Sequence, residues 1–311
     1  MTLALVTGGA GFIGSHLVEG LLARGYKVRV LDNFATGRRE NLKNVLTDIE
    51  LVEGSVTNLV TARSVMRGVE LVFHQAALPS VPRSVKNPLE SNEVNITGTL
   101  NILLAARDAG VHRVVYAASS SAYGDQPTLP KVETMPPDPL SPYAIAKLAG
   151  EMYARAFTNL YNLSTVSLRY FNVFGPRQDP TTQYAGVLAR FCTCAIRGQP
   201  YPVYGDGEQS RDFTYVTNVV EANIRAAHAA LDGSPVINIA CGERTSLNQI
   251  IHLLNELTGQ NLPAHYAPPR PGDVRHSQAD ITRARTLLGY TPTIDLREGL
   301  RRTLEWYRSG D

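Results

Sequence analysis

"TGGAGFIG", residues 7–14, decides the fold. It follows a short apolar run, "LALVTG" (3–8), and opens "FIGSHLVEGLLARG", whose apolar residues at 12, 13, 17, 18, 21 and 22 repeat at helical spacing. The octet fits GxGxxG through Gly9, Gly11 and Gly14, and GxxGxxG through Gly8, Gly11 and Gly14. Missing side chains let the backbone approach a pyrophosphate, and a helix N-terminus offers free N–H groups with a partial positive charge. A glycine turn that merely joins a strand to a helix would show the same octet. The context argues against it. Asp32 ends the next predicted strand, "YKVRVLD" (26–32), and follows Gly14 by 18 residues, near the spacing of about 20 found in dinucleotide sites. Asp32 can accept hydrogen bonds from ribose hydroxyls, and its charge repels a 2′-phosphate. NAD is therefore expected over NADP. Arg38 and Arg39 keep NADP open, although they read more simply as solvated loop residues.

Outward from this loop, strand-like runs alternate with helical ones. "IELVEGSV" (49–56), "VELVFHQAA" (69–77), "VHRVVYAASS" (111–120) and "STVSLRYFNVFG" (164–175) read as strands, and 94–110 and 142–161 as helices. This alternation predicts an α/β fold: a Rossmann-type doubly wound parallel sheet with helices on both faces. After Gly175 the chain turns rich in Gly, Pro and polar residues, with shorter helices predicted at 185–197, 217–231, 246–258, 280–288 and 296–308. The expected organisation is an NAD-binding domain over 1–172, joined by a returning segment near 212–241. A smaller C-terminal α/β substrate lobe over 173–311 completes it.

Composition narrows the partners. The 311 residues are 43% apolar and 19% charged, enough for a sizeable core, and the net charge of +2 points to neither nucleic acid nor an anionic membrane. No run of 18 apolar residues is present, so no membrane span is expected. "MTLALVTGG" has no basic start and too short an apolar stretch for a signal peptide, so the cytoplasm is the expected location. Cys192, Cys194 and Cys241 lack disulfide or zinc spacing and read as reduced core thiols. The seven histidines show no metal-ligand spacing, and His74, at a strand end, reads as structural. No metal is expected.

"SPYAIAK" (141–147) starts a predicted helix, with Ser141 as N-cap and Pro142 at the first position. Tyr143 and Lys147 then share one helical face. A phenol's pKa of about 10 is too high for a base at neutral pH. A nearby ammonium, an oxidised nicotinamide and the helix N-terminus would each favour the phenolate. The pair can thus make a general base, although Tyr and Lys occur four apart in many proteins by chance. Upstream, "VVYAASSSAYGD" (114–125) ends a strand on the carboxyl edge where open α/β sheets bind ligands. Ser119, Ser120 or Ser121 could bond the same substrate oxygen as Tyr143; chemistry alone does not choose among them.

Together, "TGGAGFIG", Asp32, "SSSAYGD", "YAIAK" and "LRYFNVFGP" resemble the extended short-chain dehydrogenase/reductases acting on nucleotide sugars, most closely the UDP-hexose 4-epimerases. The likeness runs through "RDFTYV" (211–216) and "RPGDV" (270–274). It implies that Tyr143 is the base, that Lys147 binds the nicotinamide ribose and lowers the tyrosine's pKa, and that Ser119 is the catalytic serine. It implies cofactor contacts at Gly8, Gly11, Phe12, Ile13, Gly14, Asp32, Asn33, Ser55, Val56, Gln75, Ala76, Ala77, Asn95 and Tyr170. Ser55 stands where many members carry an Asp. For the substrate it implies Ser119, Ser121, Asn172, Val187, Tyr204 and Asp273, with Arg211 and Arg270 clamping the diphosphate through planar guanidinium forks. Ser277 occupies the position that lines the sugar pocket, where a tyrosine restricts the site to plain hexoses and a small residue admits an N-acetyl group.

The resemblance also sorts the chemistry. The 4,6-dehydratases carry Asp and Glu where Ser120 and Ser121 stand, and the decarboxylases keep a Glu at Ser121. A serine has no carboxyl for either reaction. The expected activity is NAD-dependent C4 epimerisation of a UDP-hexose through a 4-keto sugar, with a homodimer as the family's assembly. A UDP-glucuronate 4-epimerase or a nucleotide-sugar 4-reductase is the in-class alternative; Arg83 and Arg177 are the residues that could meet a carboxylate. A non-catalytic NAD(P)-binding regulator is the alternative from another class. Retention of Ser119, Tyr143 and Lys147 together favours an enzyme.

Overall fold

The computed structural model describes residues 2–180, 186–269 and 274–309. Its strands are, in chain order, β1 (Leu3–Thr7), β2 (Lys27–Asp32), β3 (Ile49–Glu53), β4 (Leu71–His74), β5 (Arg113–Ser119), β6 (Ser164–Tyr170), β7 (Val173–Phe174), β8 (Tyr201–Tyr204), β9 (Ser210–Arg211), β10 (Thr214–Tyr215), β11 (Val236–Ile239), β12 (Thr245–Ser246) and β13 (Ala264–Ala267). Seven of these form one sheet in the order β11-β6-β5-β4-β1-β2-β3. Every neighbouring pair in it is parallel. Its central strands carry unbroken apolar runs because both faces are covered. The remaining strands pair two by two: β7 with β10, β9 with β12 and β8 with β13.

Eleven α-helices are described: α1 (Phe12–Leu22), α2 (Leu59–Val65), α3 (Val81–Lys86), α4 (Pro88–Asn92), α5 (Gly98–Asp108), α6 (Pro142–Tyr161), α7 (Val187–Arg197), α8 (Val216–His228), α9 (Leu247–Thr258), α10 (Thr282–Leu288) and α11 (Leu296–Ser309). One sheet face packs with α1 and α8 in a core that includes Leu17, Val30, Phe73, Val115, Val166, Val219 and Ile239. The other packs with α2 and α5 through Leu5, Val72, Val114, Ala62, Ile102 and Phe157. A third core, with Phe174, Phe191, Tyr201, Ile250 and Leu300, holds α7, α9 and α11 together.

Several sequence expectations change. The run 164–175 is not one strand. It breaks after Tyr170, and Asn172 adopts a positive φ of 34°. The run 69–77 pairs only over 71–74, after which the chain leaves the sheet as a loop. The helix expected over 94–110 begins as a π-helical segment, Glu93–Thr97, and becomes α-helical from Gly98. Helices α2, α3 and α4 went unread because each is only five to seven residues long. Strand β11 was also missed: four residues, "VINI", complete the main sheet beside β6.

The strand order reverses between β1 and β4, the switch point at which parallel sheets leave a crevice beyond their carboxyl ends. The glycine loop fills that end of β1. A Cβ on Gly14 would stand 2.1 Å from the Gly8 carbonyl oxygen, and one on Gly8 would meet the Ala76 backbone at 2.7 Å. Gly14→Ala is therefore expected to cost about 2 kcal/mol or more in urea unfolding and to yield protein carrying less NAD. Gly25→Ala, where a Cβ meets nothing within 4 Å and only a φ of 81° is strained, should cost about 1 kcal/mol. Equal effects of the two changes would contradict the crowding described.

Candidate active site

The loop after β1 ends in the N-terminus of α1, whose cap is Gly11. No side chain caps it, and no acidic residue sits in its first turn. Its N–H groups and dipole are left facing the crevice, as an anion site requires. Asp32, at the end of β2, is buried. Its Oδ2 accepts from Ala10 N at 2.9 Å and its Oδ1 from Phe34 N at 2.8 Å, while burial pushes the carboxyl above its ordinary pKa. Arg38 pairs with Asp179 and Arg39 with Glu53, so each faces a carboxylate. This glycine cradle, open helix terminus and strand-end carboxylate fit a dinucleotide.

The other expected cofactor residues cluster at the same end of the sheet. Phe12 and Ile13 open α1. Asn33 caps its own turn by accepting from Ala35 N, and Ser55 does likewise for Thr57 N at 3.2 Å, beside Val56. The loop from Gln75 through Ala76 and Ala77 follows β4. Asn95 secures it, accepting from Leu78 N at 2.8 Å and donating to Leu78 O at 3.2 Å. Tyr170 is held from two sides: Gln75 Nε2 donates to its hydroxyl at 3.0 Å, and that hydroxyl donates to Asn223 Oδ1 at 3.0 Å.

Helix α6 starts as its sequence requires. Ser141 accepts from Ala144 N at 3.2 Å, and Pro142 takes the first turn. Tyr143 N donates to Ser84 Oγ at 3.1 Å, tying the helix to α3. Burial pushes the pKa of the Tyr143 phenol up, and the Ser119 hydroxyl beside it opposes that push. That distinguishes the serines: Ser119 faces Tyr143, and Ser121 supports Ser119 by donating its hydroxyl at 2.9 Å. Lys147 is 3% exposed. Its Nζ donates to Ala117 O at 2.7 Å and lies 5.1 Å from the centre of the Tyr116 ring. Burial lowers its pKa to about 7 in spite of the opposing pull of the Glu151 charge. Tyr116 fits beneath α6 because residue 150 is glycine; a Cβ there would stand 2.3 Å from the Tyr116 hydroxyl.

Three of the substrate candidates, Asn172, Arg211 and Ser277, lie at or beside β9. Asn172 Nδ2 donates to Asp212 O at 3.1 Å. Arg211 Nη1 donates to the carbonyls of Ser210 and Arg275, both at 3.0 Å, and Ser277 N donates to Ser210 O at 3.0 Å. Val187 opens α7 and Tyr204 ends β8. Arg270 and Asp273 lie outside the described residues. Asp212, which sequence reasoning passed over, braces this region. It is fully buried and accepts from the backbone N–H groups of Cys241 (2.9 Å), Gly242 (3.0 Å) and Ala279 (3.2 Å). Its only sequence signal is its place beside Arg211. Among the described residues no His, Cys, Asp and Glu cluster could hold a metal, and no helix is long and apolar enough to cross a membrane. The three cysteines are unpaired.

His74 lies under this floor, stacked on Tyr116 with ring centres 5.7 Å apart. Thr99 Oγ1 donates to Asn95 O at 2.7 Å, so it accepts from His74 Nε2 at 3.0 Å. His74 Nδ1 then accepts from Thr7 Oγ1 at 2.7 Å. The neutral ring satisfies every partner. Burial first, and the Lys147 charge second, lower its pKa from 6.5 to about 3. The stability this contributes is full above the unfolded value of 6.5 and is lost as pH falls toward about 3. Urea unfolding between pH 7 and 5 should show His74→Gln losing stability less steeply than wild type, by up to about 1.4 kcal/mol per pH unit. Identical slopes would contradict a neutral His74.

The chain is similar along nearly its whole length to known proteins. Residues 4–240 match the model of the NAD dependent epimerase/dehydratase family. The UDP-glucose 4-epimerase of Mycolicibacterium smegmatis is 40% identical, with 98% of each chain covered. The UDP-glucose 4-epimerase of Thermotoga maritima, solved with UDP-glucose, is 41% identical with a TM-score of 0.95, covering 99% of each chain. The UDP-N-acetylglucosamine 4-epimerase of Methanobrevibacter ruminantium, in complex with UDP-N-acetylmuramic acid, is 37% identical with a TM-score of 0.96, covering 100% of this chain and 99% of that one. With the glycine loop, Asp32 and the Ser119, Tyr143 and Lys147 cluster in place, the chain belongs to the NAD dependent epimerase/dehydratase family.

Proposed function

We propose that this enzyme inverts C4 of a UDP-hexose, with UDP-GlcNAc and UDP-Glc as the favoured substrates. The observation that carries it is the placing of Tyr143 and Lys147 one turn apart at the start of α6, facing Ser119 at the end of β5, with serines and no carboxylates at 120 and 121. NAD, when bound in the glycine cradle, supplies the hydride acceptor and donor. Ser119 orients the 4-hydroxyl, and Tyr143 takes its proton. Lys147, when charged, stabilises the phenolate. Tyr143 returns the proton when the 4-keto sugar, turned over in the pocket, is reduced on its other face. Asn172, Arg211 and Arg270 would hold the diphosphate during that turn.

A neutral sugar is favoured because Arg83 is held by both oxygens of Glu90, while Arg177 pairs with Glu19 through Nη2 and keeps its other terminal nitrogen buried. Ser277 favours a pocket that admits an N-acetyl group. A second copy of the chain is the proposed partner, through the outer face of α6, where Ile145, Met152 and Leu160 are 52%, 47% and 74% exposed. The cytoplasm is the proposed location.

Tyr143→Phe should lower kcat by about a hundredfold or more while the protein still folds and retains NAD; a rate within tenfold of wild type would remove Tyr143 as the base. Incubation with UDP-Glc, UDP-GlcNAc and UDP-GlcA, followed by NMR of the C4 epimers, should show the first two converted. An inert UDP-GlcNAc beside an active UDP-Glc would defeat the assignment to Ser277.

A further inference from the structure

The face of α6 that carries Tyr143 and Lys147 continues to Glu151, four residues beyond the lysine. Glu151 is 3% exposed, as is Arg169 on β6. The two meet in a bidentate pair, Arg169 Nε donating to Oε1 at 2.8 Å and Nη2 to Oε2 at 2.7 Å. The guanidinium also lies 4.6 Å from the centre of the Tyr123 ring, and the Tyr123 hydroxyl donates to Asn238 Oδ1 at 2.7 Å. The carboxylate is therefore fixed in place from the side of the sheet.

Stability alone does not account for this pair. Replacing a buried ion pair with apolar side chains of similar volume is often neutral or stabilising. Its surroundings point to the lysine. Lys147 is buried, and its one hydrogen-bond acceptor among the described residues is a neutral carbonyl, Ala117 O. An ammonium so enclosed needs a nearby anion to remain charged. From β5 it faces the neutral phenol of Tyr116, and from β4 the neutral ring of His74. On its own helix it has Tyr143 and Glu151, and beyond them Arg169 on β6 and Tyr123. The helices packed on the other side, α3, α4 and α5, turn their charges outward: Arg83 pairs with Glu90 and Arg107 with Asp108, and Lys86 is exposed, as is Glu93 in the π-helical segment. Of the Glu151–Arg169 pair it is the carboxylate that stands one turn from Lys147 on the same buried face of α6.

We propose that Glu151, clamped by Arg169, is a positioning residue that keeps Lys147 in its ammonium form and thereby sets the proton affinity of Tyr143. This rests on the assignment of Tyr143 and Lys147 as the acid–base pair. The geometry also separates a charge effect from a purely mechanical one, because Lys147 can be titrated without any turnover.

The chain has five lysines, at 27, 43, 86, 131 and 147. Lysine labelled with 13C at Cε therefore gives a short NMR spectrum of the NAD-loaded protein, and Lys147→Met assigns the signal of interest. In Glu151→Gln the titration midpoint of Lys147 is expected to fall by about one pH unit or more, with the other four lysines unmoved. Should that variant fail to fold around an unpaired Arg169, the double variant Glu151→Gln, Arg169→Met carries the same measurement and the same expected direction. A Lys147 midpoint within roughly 0.2 pH unit of wild type in the folded variant would overturn the proposal. Because no substrate is added, that outcome is distinct from a failure to epimerise UDP-sugars.

Discussion

The Gly8 carbonyl oxygen occupies the space a side chain on residue 14 would need. That close approach bends the chain from β1 into α1 tightly enough for the helix N-terminus to face the crevice, and the rest of the site is arranged around it. The loop also presses on Ala76, so the end of β4 is set by the same contact. Thr7, the residue just before the loop, anchors His74, and His74 in turn stacks on Tyr116 beneath α6. One crowded turn thus positions both the cofactor cradle and the floor under Tyr143 and Lys147.

Electrostatics then decides what the floor can do. Burial works against charge on both partners, raising the phenol and lowering the lysine. Ser119 and Glu151 act in the opposite sense, the first on Tyr143 and the second on Lys147. A bound oxidised nicotinamide would add positive charge beside the phenol, in the direction that favours proton removal. The chemistry thus depends on a few fixed charges in a water-poor place, where each counts for more than it would at the surface.

Much of this was legible in the sequence. The glycine octet, Asp32 and the alternation of strands and helices revealed the parallel sheet, and "SPYAIAK" carried its own N-cap and first-turn proline. Chemistry alone left the serine triplet ambiguous, and only the resemblance named Ser119, because the choice depends on which hydroxyl the sheet presents to α6, a fact of register rather than of composition. The run 164–175 read as one strand because Asn172, a non-glycine at positive φ, gives no local sign of the break. Strand β11 and the short helices were too brief for periodicity to separate from loop. Glu151, Arg169 and Asp212 escaped notice for a further reason: a charged residue is expected at the surface, and their burial is a product of tertiary pairing.

The central claim is that oxidation and reduction occur at the same carbon, with the hydride kept inside the protein. UDP-glucose carrying deuterium at C4 tests it most directly. After incubation in ordinary water, the expected product is the C4 epimer with the deuterium still at C4. Loss of the label to solvent, or inversion at any other carbon, would contradict the account.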